Sequence, residues 1–412
     1  MAKIRGITVV SPLWGERTKT DRMIFSVLHQ FISRKNPFKI HLVLVDDYLE
    51  GRKDGESYYK YYISDEFKQF YDPERIKITL IVNKEHKYQG ESREIGFLKG
   101  EYNYFLLIDC DDMLSPNACD RYLDIINKAE DPNKVACVYG YTYGFDSGDY
   151  TQLIPGHSIW VQGRCYNRDF IKKYGIHFGK GLHSRQGEDY PFIRKLDYAI
   201  SHISDWIVAK MPYEDPKTNL QCTAFWFPNE ESLSRQDPHY GQHLSGWTMA
   251  SSLSIFEFFE KFNKKYDFDI EEDEMMKHEL LNMNVYAFYN LLDFIREVSS
   301  TDYIPLEEDW IELRNNVKTL KKKLQSTYWN EIVYSDVEDM LYNVHHNSDA
   351  RFCESWIGTF YDYMNGASKA EVIFEMDYQA MIAYSKELKF DQAGHELHSP
   401  QVLAWKKRHE KT

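Results

Sequence analysis

Carboxylates stand where short apolar runs end: Asp46 and Asp47 follow Ile40–Val45, and Asp109, Asp111 and Asp112 follow Tyr104–Ile108. Clustered carboxylates repel one another unless a cation or hydrogen-bond donors compensate. A divalent metal is the simplest compensation. Mg²⁺ and Mn²⁺ accept one or two carboxylates and fill their remaining positions with water and phosphate oxygens. A metal so held would bridge a diphosphate and neutralise the charge that builds on it as a leaving group. Taken alone, Asp109-Cys110-Asp111-Asp112 also fits an ordinary turn or helix cap, where Asp is common.

The elements that must position these acids alternate between two periodicities. Ile7–Val10, Ile40–Val45, Ile76–Val82 and Tyr104–Ile108 read as strands, while Asp21–Ser33 and Glu91–Lys99 read as helices. Such alternation predicts an α/β fold with a mostly parallel, Rossmann-like sheet covered by helices on both faces. Ligands bind beyond the carboxyl ends of the strands in sheets of this kind. That rule brings Ser11–Arg17, Asp46-Asp47 and Asp109–Asp112 to one crevice.

Five segments in order carry a resemblance. They are Thr8-Val9-Val10-Ser11-Pro12-Leu13-Trp14, Ser26-Val27-Leu28-His29-Gln30, Leu42–Asp47, Gly90–Gly96 with Lys99-Gly100-Glu101-Tyr102, and Ile108–Pro116. Together they resemble the family 2 glycosyltransferases of the GT-A fold: an opening strand with a Pro-x-aromatic loop, S-[VL]-x-x-Q, a strand with an acidic end, G-x-x-x-A-R-N-x-G followed by G-E-Y, and a D-x-D-D-x-x-x-P block containing the DXD motif. Glu94 replaces the usual Asn, and Tyr48-Leu49-Glu50 replaces the common G-S-x-D. The resemblance implies a nucleotide-sugar site formed by Pro12, Trp14, Glu16, Asp46, Asp47, Gly90, Arg93, Asp109 and Cys110. Asp46 or Asp47 would hold the base and Arg93 would support the nucleotide. Asp111, helped by Asp109, would bind Mn²⁺ or Mg²⁺.

The resemblance continues through Gly163–Ile171, Gly175–Phe178 and Gly187-Glu188-Asp189-Tyr190-Pro191-Phe192. In the family an E-D pair opens a helix and its Asp is the general base. By that likeness Asp189 is the base and Glu188 its acceptor-positioning neighbour. Direct displacement at an anomeric carbon needs such a group, because the acceptor hydroxyl must lose its proton as it attacks; inversion of configuration follows. The plain alternative is a helix-opening acid favoured by the dipole. Phe225-Trp226-Phe227 with Ser232–Arg235 resembles the segment that closes the family's core, which would put Arg235 near phosphate. Family members sometimes add a His in this region as a metal ligand; His239 is one candidate for it, and His243 and His157 have similar standing. A UDP-sugar is the expected donor of a hexosyl or pentosyl group.

Composition narrows the acceptor. A formal charge of −14 disfavours phosphate polymers as partners, modified nucleic acid included, because affinity for them comes from Lys and Arg. A glycan or another hydroxyl-bearing molecule is the expected acceptor. Six scattered cysteines without CxxC spacing read as free thiols. No apolar run approaches the roughly 20 residues needed to cross a bilayer, so a cytoplasmic enzyme is expected. Residues 1–240 form the expected GT-A domain and 241–412 a mainly helical one, with Met249–Phe262, Glu274–Glu297, Pro305–Lys323 and Ile332–Val344 at helical spacing. The helical part has no recognisable motif and is a candidate for homo-oligomerisation. Two rival readings are a nucleotidyltransferase, which would want a richer glycine loop than Ser11–Arg17 offers, and a noncatalytic carbohydrate-binding or scaffold protein, against which intact Asp109, Asp111 and Asp189 count.

Overall fold

The computed structural model describes residues 3–15, 17–33, 37–49, 56–145, 151–155, 161–179, 188–212, 222–227 and 240–268, with scattered helical positions between 275 and 322 and residues 376–387. The chain divides into two compact units, Met1–Gln236 and Asp237–Thr412.

In the first unit the elements are β1 (Gly6–Leu13), α1 (Arg17–Leu28), β2 (Lys39–Asp46), a 3₁₀ segment Tyr58–Ile63, α2 (Asp65–Lys68), β3 (Ile76–Val82), α3 (Tyr88–Lys99), β4 (Tyr104–Leu107), β5 (Met113–Leu114), α4 (Ala118–Lys128), β6 (Val135–Tyr139), β7 (Tyr141–Phe145), β8 (Thr151–Pro155), β9 (Arg164–Asn167), α5 (Arg168–Tyr174), α6 (Asp189–His202), β10 (Ile207–Lys210) and β11 (Cys222–Trp226). Seven strands form one sheet in the order β10-β6-β9-β4-β1-β2-β3. All its pairings are parallel except those of β9, which runs antiparallel to both β4 and β6. All eight residues of β1 are buried, so both faces of the sheet are covered, and its apolar run is continuous rather than alternating. A second sheet, β5-β11-β7-β8, follows the Asp109–Asp112 turn.

The site lies where chain order reverses. After β1 the chain builds outward through β2 and β3, then returns so that β4 pairs with the other side of β1. That topological switch point opens a crevice at the strand ends. Register aligns Leu13 with Asp46 and Asp46 with Val82, while Ile108 N donates to Val10 O at 3.0 Å. The three sequence segments therefore meet.

Helix α3 packs on β1 and β2 through Gly96, where an added Cβ would lie 2.2 Å from Val10 Cγ1. Helix α1 stops at Leu28 rather than at Ser33. Phe31 N donates to Pro116 O at 2.6 Å, and Gln30 spends its side chain on Ser115 O at 2.6 Å and Cys119 N at 3.0 Å. With Ser26 Oγ accepting from Leu114 N, the S-V-L-H-Q segment is a grip by α1 on the chain that leaves the acidic turn.

In the second unit, α7 (Tyr240–Tyr266) buries Ile255, Phe256, Phe259 and Phe262. It ends at Asp267, which adopts φ of 58° while Phe268 N reaches back to Asn263 O. Among the described helical positions between 307 and 322, buried Trp310 and half-buried Arg314 both donate to Met376 O. Helix α8 (Tyr378–Glu387), which periodicity does not announce, is capped by Asp377, whose carboxylate accepts from Ala380 N. The expected helices Glu274–Glu297, apart from Met275, and Ile332–Val344 lie outside the described residues. Among those described, no helix is long and apolar enough to cross a membrane.

Candidate active site

The turn after β4 is wired from several directions. Asp112 N donates to Asp109 O, the Asp112 side chain turns inward to accept from Phe227 N at 2.9 Å and Gln162 Nε2 at 2.6 Å, and the Cys110 thiol donates to Trp14 O. Arg22, from α1, lies 3.9 Å over the Phe227 ring and donates to the Asp111 carbonyl. The Asp111 side chain is half-buried and Asp112 is buried.

Arg93 is the centre of the site. It is 1% exposed, on the face of α3 that also carries Gly90 and Gly96. Its Nη2 donates to Asp109 Oδ1 at 2.6 Å, and its Nη1 donates to both Glu188 and Asp189. Gln89 and Gln162 supply further donors to Asp109, at 3.0 and 2.9 Å. One guanidinium thus joins the turn after β4 to the first residues of α6. The sequence reading has Arg93 supporting the nucleotide; the structure directs its guanidinium to three carboxylates.

Packing explains how Glu188 reaches so deep. A Cβ on Gly90 would sit 2.9 Å from Glu188 Cγ and 3.2 Å from Phe178 Cβ, so the helix must be bare there. Beneath, Phe178 stacks on Phe192 at 3.9 Å, and a run of ring contacts continues through Tyr166 and Phe105 to Phe97. Glu94, where the family has Asn, accepts from Phe178 N and pairs with His177 Nδ1 at 2.7 Å, tethering the segment that follows α5. Further along α6, Asp197 accepts from Tyr139 and from buried Arg164.

At the other end of the crevice, Trp14 lies 5.4 Å from Tyr48 and 5.1 Å from His86 between ring centroids, bringing together rings from the loops after β1, β2 and β3. Trp14 is 41% exposed. Buried Tyr59 holds the loop before α1 by donating to Gly15 O, and buried Tyr62 holds the first turns of α1 by donating to Asp21 Oδ1. The two adjacent acids part company here. Asp46 is buried and accepts from Tyr48 N, whereas Asp47 accepts from Asn83 Nδ2, Lys87 N and Tyr88 N and so shapes the β3–α3 loop.

Electrostatics follow from gathering one buried and two half-buried acids around one buried cation. Burial and the neighbouring Asp189 push Glu188 up to about 8, against the pull of Arg93. Burial raises Asp189 as well, again opposed by Arg93. Asp112 is driven well above the usual carboxylate range by burial and by Asp109 and Asp111. Burial works against the charge on Arg93, but its carboxylates more than offset this and hold it above the ordinary guanidinium value.

The expected residues Pro12, Trp14, Asp46, Asp47, Gly90, Arg93, Asp109, Cys110, Asp111, Glu188 and Asp189 are all described; Pro12 lies in β1 beside Trp14. Glu16, His157, Arg235 and His239 lie outside the described residues, as does the side chain of His243. Gln89, Gln162, Asn83 and Arg22 belong to the site and have no motif to announce them. Among the described residues no set of three His, Cys, Asp or Glu side chains forms a metal cage. The chemistry on offer, one or two hard carboxylate oxygens at Asp111 and Asp109, fits a cation that takes its other ligands from phosphate and water.

Residues 8–184 match Glycosyl transferase family 2. That stretch makes up most of the first unit. No curated protein matches the chain in sequence. Among solved structures, residues 1–349 of S. aureus TarS in complex with UDP-GlcNAc align at 12% identity over 88% of this chain and 92% of that one, with a TM-score of 0.50. A second structure of the same TarS segment aligns at 11% identity over the same shares, with a TM-score of 0.49. A mannosyltransferase from Pyrobaculum calidifontis in complex with GDP-Man and Mn²⁺ aligns at 9% identity over 94% of this chain and 88% of that one, with a TM-score of 0.41. At 12% identity the likeness to the TarS complex is one of fold.

Proposed function

We propose that this chain is an inverting glycosyltransferase that moves a sugar from a UDP-sugar to an acceptor hydroxyl, with Asp189 as general base. The observation that carries the reading is the placement of Asp189 opposite Asp109 across the Arg93 guanidinium, beside the switch-point crevice. The UDP-GlcNAc in the TarS complex supports a uridine donor.

In this reading the nucleobase lies against the Trp14, Tyr48 and His86 rings, and Asp46 takes the base contact that Asp47, engaged with the β3–α3 loop, does not. Asp111 and Asp109 would hold Mn²⁺ or Mg²⁺, which would supply neutralising charge at the diphosphate. The acceptor oxygen forms its bond to the anomeric carbon as the bond from that carbon to the diphosphate breaks, the electron pair leaving with the diphosphate. Asp189 takes the acceptor proton. Its raised pKa brings it nearer the working pH, which suits a base, while Arg93 keeps it from rising further. Glu188 orients Asp189 through their shared guanidinium, and a single displacement inverts the anomeric centre.

The test is transfer and hydrolysis with a panel of nucleotide sugars plus Mn²⁺, comparing the full chain with Asp111→Ala and Asp189→Ala. Turnover of one donor, reduced about 10²–10⁴-fold by Asp189→Ala as loss of a positioned base requires, supports the reading. Absence of binding and turnover for every donor would sink it in favour of a noncatalytic module.

A further inference from the structure

The Val161-Gln162 dipeptide touches both halves of the site. The Gln162 nitrogen has two hydrogens, and both go to acids of one turn, Asp109 Oδ2 at 2.9 Å and Asp112 Oδ2 at 2.6 Å. The residue is 3% exposed, and its carbonyl oxygen is buried with no hydrogen-bond partner among the described residues. A neutral amide lying between two carboxylates must turn its nitrogen to them, so the acids fix its orientation. The adjoining Val161 N–H donates to Asp189 Oδ2 at 3.2 Å, and the Tyr166 hydroxyl holds the Val161 carbonyl at 2.6 Å. Two consecutive residues therefore bond to the turn after β4 and to the carboxylate that opens α6.

We propose that Gln162 is a positioning residue for transfer, setting the distance between the donor-side acids and the base. It rests on the glycosyltransferase reading of this site. Asp109 has three donors: Arg93 and Gln89 on Oδ1, and Gln162 on Oδ2. Without the third, Asp109 Oδ2 loses its donor and the carboxylate can pivot on Oδ1, shifting the Arg93 guanidinium it shares with Asp189. Gln162 presents almost no surface to a ligand, so its loss is felt where geometry matters most, in the transition state, rather than in donor binding.

The experiment compares the full chain with Gln162→Glu, which keeps side-chain length but places an acceptor between Asp109 and Asp112. The expected result is a kcat for transfer lower by about 100-fold, the cost of an ångström-scale misplacement, with the calorimetric affinity for UDP in the absence of metal within threefold of wild type. Adding Asp112→Asn gives the introduced carboxylate an amide partner. That double variant should regain thermal stability without regaining kcat, because Asp109 Oδ2 still has no donor. Should Gln162→Glu fail to fold, Gln162→Ala is expected to show the same split. Parallel loss of UDP affinity and kcat, recovery of kcat together with stability, or a kcat within threefold of wild type would each overturn the proposal while leaving the glycosyltransferase reading intact. A wild-type chain that neither binds nor turns over any nucleotide sugar overturns both.

Discussion

Replacing Arg93 with Met removes the one cation among Asp109, Glu188 and Asp189 while keeping most of the aliphatic bulk. At pH 8 buried Glu188 and half-buried Asp109 and Asp189 lose their shared counter-ion, and deleting one partner of a buried pair costs about 3–5 kcal/mol. Protonation relieves that cost. Glu188 already titrates near 8 against an ordinary value of 4.5, and losing Arg93 raises it and Asp189 further. A carboxyl whose folded pKa is raised contributes stability below its unfolded pKa and loses it as pH climbs through the folded one, at about 1.4 kcal/mol for each pH unit between the two. Near pH 5 Glu188 is neutral in the variant, and the deficit shrinks toward the lost hydrogen bonds, about 1–2 kcal/mol. Urea unfolding of wild type and Arg93→Met at pH 5 and pH 8 measures the difference. A deficit of the same size at both pH values, or one under about 1 kcal/mol at pH 8, would refute the claim that Arg93 is chiefly a counter-ion.

Gly90→Ala drives a methyl into Glu188 and Phe178, which should cost about 1–3 kcal/mol of stability and lower transfer with little change in nucleotide affinity, read by thermal melts and steady-state kinetics. Asp111→Asn should abolish the Mn²⁺ dependence of UDP binding in calorimetry, whereas Asp112→Asn should leave it in place, since Asp112 is turned inward to Gln162 and Phe227.

Much of the sheet is legible in the sequence because parallel strands covered on both faces are written as unbroken Val, Ile and Leu runs, as in Ile40–Val45. The acidic turn and the Glu188-Asp189 pair are legible for a different reason: carboxylates at strand and helix ends invite a chemical question. The end of α1 is not, because it is settled by Pro116 and Ser115, residues far along the chain. Nor is the second sheet, whose strands of two to five residues acquire meaning only through their partners. The direction of Arg93 depends on an acid 95 positions away, so its residue type alone reads equally well as a phosphate ligand. Gln162 and Gln89 are single amides, and nothing in their local sequence tells a surface residue from one that holds a carboxylate.

The guanidinium shared by three acids also sets terms for how this chain can diverge. Asp109, Glu188 and Asp189 each lean on the same group, so a replacement at any one of them unbalances the other two. Drift there should be concerted: lineages that alter one of the four positions would be found to have altered another. The exposed rim around Trp14 is under no such bond. Change can accumulate at that rim one residue at a time, leaving the reacting centre as inherited.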